Sequence, residues 1–168
     1  TGLKSITYEQ IKDPGLESGT DVIVRVDHCE ICGSDLHIYH GRETGLDMHT
    51  CMGHEFTGEI VEIGKKIKSF QIGDKVVSPF STACGHCFYC LRGLSARCSQ
   101  NQIYGWVENK IGLQGAQAEF VRVPLADNTL MEYTQYGLVS KQALLAGDIL
   151  STGYFGAQLS NINKADVI

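Results

Sequence analysis

Four short segments alternate apolar, β-branched residues with polar ones, and each is bounded by Gly, Asp or Pro. Alternation with a period of two is typical of half-buried strands, so we predict a strand in each segment. The segments are DVIVRV (21–26), GEIVEIG (58–64), KVVSPF (75–80) and AEFVRVP (118–124). The pairs Ser18-Gly19 and Gly73-Asp74 favour turns between them. The spacing predicts a mainly antiparallel, barrel-like arrangement over residues 1–125 with few helices.

The pattern changes after residue 140. The segment SKQALLAGDILSTGYFGAQL (140–159) has Ser140 as a candidate N-cap and apolar residues at 145, 149 and 154, so we predict one helix despite three internal glycines. Within LLAGDIL (144–150), Asp148 stands among apolar or small residues that cannot pair with its charge. A buried carboxylate needs a partner, which another part of the chain must then supply. By contrast, SQNQIYGWVENKIGLQG (99–115) is predicted to be a long loop that serves a site.

Composition narrows the class of protein. The chain has 168 residues, 43% hydrophobic and 20% charged, which predicts one globular domain. The net charge of -5 and the absence of a basic stripe argue against nucleic acid, and no apolar run is long enough for a membrane span. The expected partner is a small molecule or another protein. Seven cysteines, four of them crowded between 84 and 98, favour metal binding in a reducing, cytoplasmic environment over disulfides.

The run CGHCFYCLRGLSARC gives Cys84, Cys87, Cys90 and Cys98 a C-x2-C-x2-C-x7-C spacing. Two residues between cysteines let both thiolates approach one ion, and a fourth closes a tetrahedron with no open position, which predicts a structural zinc site. Four reduced core cysteines and an iron–sulfur cluster are the alternatives. Cluster-binding runs of this type place the fourth cysteine closer and before Pro, whereas Cys98 precedes Ser99.

A second group of polar residues comes from two motifs. ICGSDLHIYHG (31–41) contributes Cys32, and GHEFTGEIVEIG (53–64) contributes His54. With a carboxylate such as Asp148 they would form a three-ligand zinc site whose fourth position holds water or substrate. One thiolate and one carboxylate would balance the 2+ charge. Each residue alone also has an ordinary explanation, as a core thiol, a hydrogen-bonded core histidine or a helix-capping acid.

Several motifs together carry a resemblance to a known family. CGSDLH (32–37), GHExxGxxxxxG (53–64), GDKV (73–76), the four-cysteine lobe (84–98) and GDILSTGYFGA (147–157) have the order and spacing found in the zinc-dependent medium-chain alcohol dehydrogenases. The chain resembles that family over nearly its whole length. The resemblance implies a mainly β fold with some α: a GroES-like, partly open β-barrel with a zinc-binding lobe and a C-terminal helix.

The resemblance also implies roles for individual residues. Cys32, His54 and Asp148 would bind a catalytic zinc, and Asp at the third position is similar to the branch that contains sorbitol, threonine, secondary-alcohol and formaldehyde dehydrogenases. Glu55 would be an alternative or exchanging ligand, so the third ligand is Asp148 or Glu55. Asp35 would orient His54, while Ser34 would accept the alcohol proton and His37 would pass it to solvent. The histidines and cysteines that match no motif position are interpreted as structural or surface residues: His28, His40, His49, His86, Cys29 and Cys51.

The implied activity is oxidation of an alcohol, or reduction of an aldehyde or ketone, by hydride transfer to NAD or NADP, with two zinc ions per chain. No G-x-G-x-x-G occurs in residues 1–168, which end in NINKADVI where the family enters its dinucleotide-binding domain. We therefore expect a catalytic-domain fragment, inactive alone, from a homo-oligomeric (dimeric or tetrameric) enzyme. A zinc-stabilised structural module of co-chaperonin-like fold and a zinc-ribbon binding module are the competing hypotheses.

Overall fold

A computed structural model describes residues 3–162, which contain an antiparallel sheet flanked by short helices. The seven strands are β1 (Val22–Glu30), β2 (Glu55–Ile63), β3 (Lys75–Ser78), β4 (Trp106–Glu108), β5 (Ile111–Leu113), β6 (Phe120–Val123) and β7 (Met131–Glu132). Five of them form one sheet in the order β6-β1-β2-β3-β7, in which every pairing is antiparallel. All four strands predicted from alternation are confirmed, and this sheet does not close on itself, which agrees with a partly open barrel.

The core lies on one face of the sheet because side chains alternate along each strand. Val22, Val24, Phe56, Ile60 and Val76 are fully buried. The Tyr104 ring packs edge-on against that of Phe56, with centroids 5.1 Å apart. β1 and β2 pair along their length, and Cys29↔Phe56 and Glu30↔Glu55 are among the residue pairs that face each other. The register brings the end of β1 beside the start of β2.

The segment 99–115 is not a simple loop. It contains β4 and β5, which pair as a two-stranded hairpin. The turn residues Asn109 and Lys110 both have positive φ, and their N–H groups donate to the Asp47 carboxylate at 3.0 and 2.6 Å. The loop prediction was wrong here because each strand has only three residues and its turn is stabilised by a residue distant in sequence.

The helices are α1 (Gly33–Tyr39), α2 (Ala126–Thr129), α3 (Ser140–Ala146) and α4 (Ile149–Leu159), with 3-10 turns at Cys90–Arg92, Ser95–Arg97 and Thr134–Tyr136. The single helix predicted over 140–159 is therefore two helices, and Val139 rather than Ser140 is the N-cap of the first. The helix is interrupted at Asp148, whose φ of -142° and ψ of -73° are not helical. No helix within residues 3–162 is long and apolar enough to cross a membrane.

The apolar residues at 145, 149 and 154 do lie in helices, but they are not buried: Leu145, Ile149 and Tyr154 are exposed. Instead, α3 buries Ala143 against Val77 and Tyr133. Asp148 thus lies at a junction between two helices and not beside a buried helical stripe. The consequence is that its position depends on how α3 packs on the sheet.

Candidate metal centres

The four lobe cysteines converge on one point. The sulfur atoms of Cys84, Cys87, Cys90 and Cys98 all lie within 4.8 Å of one another. Cys84 Sγ and Cys90 Sγ are 4.0 Å apart, close to the ~3.8 Å edge of a tetrahedron with zinc–sulfur bonds of about 2.3 Å. None of the seven cysteines, all within the described residues, forms a disulfide. The donor set therefore fits a closed, four-thiolate metal site.

Backbone N–H groups in the lobe point at the sulfurs. Those of Cys84 and Gln100 donate to Cys98 Sγ at 3.2 and 3.3 Å. Backbone N–H groups of Cys90 and Ser99 lower the pKa of Cys87 to about 5, whereas burial raises the pKa of Cys90 to about 11. Backbone donors thus favour the thiolate of Cys87 while burial favours the thiol of Cys90, and a bound cation would favour the thiolate form of both.

A second cluster of donor atoms lies where β1, β2 and α4 meet. Ligand atoms of Cys32, His54, Glu55 and Asp148 lie within 4.8 Å of one another. Cys32 precedes α1, and His54 and Glu55 are at the start of β2, so strand pairing brings these two segments together. The structure therefore supplies the partner that the sequence required for Asp148: its Oδ2 lies 3.5 Å from His54 Nε2.

Asp35 ties the two halves of this cluster together. Its buried carboxylate accepts a hydrogen bond from the Cys32 N–H at 2.9 Å, and its other oxygen lies 3.6 Å from His54 Nδ1. The Asp35 carboxylate raises the pKa of His54 to about 9, against the lowering effect of burial. Because a zinc-binding imidazole is neutral, His54 would have to release a proton to hold a metal, and Asp35 would hold the ring through Nδ1.

Two more side chains approach His54 Nε2. Ser34 Oγ lies 3.3 Å away, and Glu55 Oε1 lies 3.9 Å away. Glu55 is 2% exposed, and within residues 3–162 its Oε2 has no hydrogen-bond partner. Burial raises the pKa of Glu55. A buried, unpaired carboxylate oxygen next to a thiol and an imidazole is consistent with a site prepared for a cation.

Two residues of the second cluster, His54 and Asp148, line a cavity of about 330 Å³. Polar atoms of Ser34, His54 and Asp148 line one part of it, and apolar side chains that include Phe80, Ile103 and Trp106 line another. None of the four lobe cysteines lines this cavity. This contrast supports a structural role for the lobe and room for a small ligand at the second cluster.

Other predicted residues lie at the edge of the site or outside it. His37 is about half exposed, with Nδ1 3.9 Å from Glu43 Oε1, and is absent from the cavity lining. His28 bonds to Ser140 Oγ at 2.8 Å, while His86 Nδ1 lies 2.8 Å from the Cys84 carbonyl oxygen. Sequence reasoning missed Thr152, which lines the cavity and bonds to Asp148. Its position four residues after Asp148, one helical turn, is the signal that would have found it.

The fold and the donor sets define an open β-barrel-like domain with two candidate zinc centres, one closed and one open to a cavity. Residues 18–133 match the alcohol dehydrogenase GroES-like domain. The chain belongs to this family, the GroES-like domain of the medium-chain zinc alcohol dehydrogenases. The resemblance inferred from the motifs is thereby confirmed, as is the fold class.

Individual relatives agree with this assignment. The chain is 45% identical over 157 residues to a medium chain reductase/dehydrogenase from Acremonium sp., covering 94% of this chain and 52% of the relative. It is 44% identical over 155 residues to a zinc-type alcohol dehydrogenase B from Aspergillus flavus, covering 90% and 34%. The solved structure of alcohol dehydrogenase TADH from Thermus sp. ATN1 superposes with a TM-score of 0.87 at 38% identity, covering 95% of this chain and 46% of that one. The chain thus spans about half the length of its relatives or less.

Proposed function

We propose that residues 1–168 form the zinc-bearing catalytic part of an alcohol dehydrogenase that interconverts an alcohol and an aldehyde or ketone by hydride transfer to NAD or NADP. The observation that carries this proposal is the convergence of the Cys32, His54 and Asp148 donor atoms, two of whose residues, His54 and Asp148, line a cavity large enough for a small substrate. Cys84, Cys87, Cys90 and Cys98 are proposed to hold a second, structural zinc. The family assignment supports both.

The chain's own residues would divide the chemistry as follows. Cys32, His54 and Asp148 hold the catalytic zinc, which when bound supplies the Lewis acidity that lowers the pKa of an alcohol hydroxyl. Ser34, which lines the cavity, accepts the hydroxyl proton. His37 is three residues further along α1, on the same side of the helix, and passes the proton to solvent from its half-exposed position. Asp35 holds His54, and Glu55 is the alternative metal ligand.

Apolar side chains on the cavity wall favour a substrate whose carbon chain is at least partly apolar. We place the nicotinamide cofactor on a dinucleotide-binding domain beyond residue 168, because residues 1–168 contain no G-x-G-x-x-G and cover 52% or less of the relatives. The terminal segment expected to lead into that domain falls partly on residues 163–168, outside the described part of the chain. Alone, the chain is proposed to be inactive; the whole enzyme is proposed to be a cytoplasmic homo-oligomer.

Metal content tests the proposal most directly. The chain should bind two zinc ions, Cys32→Ser should bind one, and the control Cys29→Ser should bind two, because Cys29 lies outside both donor clusters. One zinc in the parental chain would favour a ribbon-like binding module instead, and none would favour a co-chaperonin-like module. In the full-length enzyme, Cys32→Ser should abolish turnover of primary and secondary alcohols with either cofactor; turnover equal to the parent would refute the catalytic assignment.

A further inference from the structure

Thr152 is on the first turn of α4, four residues after Asp148. Its hydroxyl donates a hydrogen bond to Asp148 Oδ1 at 2.8 Å, and its side chain lines the same cavity as Ser34 and His54. Neither residue of this pair is fixed by the pair alone, because Thr152 is on an exposed helix. What this hydrogen bond can do to the Asp148 carboxylate depends on how firmly the main chain at Asp148 is held.

Two sets of contacts fix that main chain. On one side, the buried Gly147 packs so closely on β3 that a Cβ there would lie 2.5 Å from the Ser78 carbonyl oxygen. On the other side, the Asp148 carbonyl oxygen accepts hydrogen bonds at 2.8 Å from both the Ser151 hydroxyl and the Thr152 N–H. With the backbone held from both ends, the remaining freedom of Asp148 is rotation about its two side-chain torsions.

The Thr152 hydroxyl removes this freedom. With Oδ1 bonded to Thr152, Asp148 presents Oδ2 toward His54, 3.5 Å from Nε2. A carboxylate free to rotate must lose that freedom when it binds a metal, which weakens binding. It can also bind a metal through both oxygens, which would occupy the position that a substrate needs. An occupied Oδ1 limits Asp148 to one metal bond.

We propose that Thr152 is a positioning residue that holds the Asp148 carboxylate in a one-oxygen binding geometry and keeps the remaining metal position open. This inference rests on the proposed function, because it requires Asp148 to be a metal ligand. The competing explanation is a purely local pair that stabilises the start of α4. A local pair changes the stability of the helix but leaves metal affinity unchanged, which makes the two explanations separable.

The experiment is a competition titration of the purified chain with Co²⁺, whose visible spectrum reports the ligand geometry at each site. Removing a hydrogen-bonding partner of a metal ligand weakens binding by about 10–100-fold. Thr152→Val, which keeps the shape and removes the hydroxyl, should weaken binding at the second cluster by this factor and shift its spectrum. Thr152→Ser should restore most of the affinity. Ser160→Ala is the matched control because its hydroxyl, at the other end of α4, bonds to the Gly156 carbonyl oxygen and not to Asp148.

The four-thiolate lobe serves as an internal standard, since it shares no residue with this pair and its metal binding reports correct folding in every variant. Asp148→Ala distinguishes a failure of the positioning role of Thr152 from a failure of the proposed ligand role of Asp148. If Asp148→Ala loses the second metal but Thr152→Val keeps parental affinity and spectrum, the positioning role is overturned and the proposed ligand set stands. If Asp148→Ala keeps parental affinity, both the ligand role of Asp148 and the positioning role of Thr152 are overturned.

Discussion

Replacing Gly147 by alanine tests whether the packing of α3 on the sheet determines the geometry of the proposed catalytic metal site. The new Cβ would lie 2.5 Å from the Ser78 carbonyl oxygen, against about 3.4 Å for ordinary contact, so the two segments must separate by roughly 0.9 Å. β3 is hydrogen-bonded to β2 and to β7 and cannot easily yield. The displacement therefore falls on the end of α3, and Asp148 follows directly.

The size of this displacement predicts two effects. Overpacking of this kind costs about 1–3 kcal/mol, which lowers the melting temperature by roughly 2–12 °C in a chain of this length. A shift of about 0.9 Å also exceeds the ~0.5 Å within which a site must be held. We expect the second cluster to lose at least tenfold in zinc affinity, while the four-thiolate lobe keeps its metal.

Calorimetry and zinc competition titrations provide the assay, with Gly153→Ala as the matched control. Gly153 is on α4 and a Cβ there meets nothing within 4 Å, so this change should leave zinc affinity intact and stabilise the helix by up to about 1 kcal/mol. Parental affinity at both zinc sites in Gly147→Ala would refute the argument, because it would show that Asp148 does not depend on the α3–β3 contact.

Three further predictions concern separate parts of the molecule. Cys84→Ser should lose one zinc and at least about 3 kcal/mol of unfolding free energy, since structural zinc binding is itself folding free energy; unchanged denaturant unfolding relative to Cys29→Ser would contradict it. In the metal-free chain, folding raises the pKa of His54 from 6.5 to about 9, so protonated His54 stabilises the fold. This contribution is complete below pH 6.5 and is lost as the pH rises through about 9. Urea unfolding should show this decline in the parent and not in His54→Gln. Ser140→Ala should lower the free energy of unfolding by about 1–3 kcal/mol, because the hydroxyl of the fully buried Thr57 loses its 2.6 Å partner. Lys141→Ala, a change at an exposed residue of α3, should lower it little by the same measurement.

The parts of the fold that sequence predicted are those governed by local rules. Alternation located β1, β2, β3 and β6 because each buries one face of its side chains on the same core. The β4–β5 hairpin was missed because Asn109 and Lys110 adopt positive φ without a glycine, held by the Asp47 carboxylate. Only tertiary structure reveals a turn stabilised in this way.

The two candidate metal centres also differ in whether local sequence or tertiary structure brings their residues together. The spacing of the four lobe cysteines within fifteen residues is enough to predict that their sulfur atoms meet at one point. These cysteines are Cys84, Cys87, Cys90 and Cys98. The second cluster joins residues 32, 54 and 148, and their proximity depends on the β1–β2 register and on the packing of α3. The helix break that presents Asp148 could not be read from periodicity, because its backbone conformation is set by the contact between Gly147 and β3.

The choice between Asp148 and Glu55 as third ligand follows from charge and from hydrogen bonding. A Cys32 thiolate and one carboxylate balance a 2+ ion, so a second ionised carboxylate would leave a net negative charge in a buried place. Asp148 is closer to His54 Nε2, at 3.5 Å against 3.9 Å for Glu55, and its second oxygen is bonded to Thr152. Glu55 Oε2 has no partner among the described residues, and burial raises the pKa of Glu55, which favours its neutral form. These differences favour Asp148 as the proposed third ligand and Glu55 as the proposed alternative.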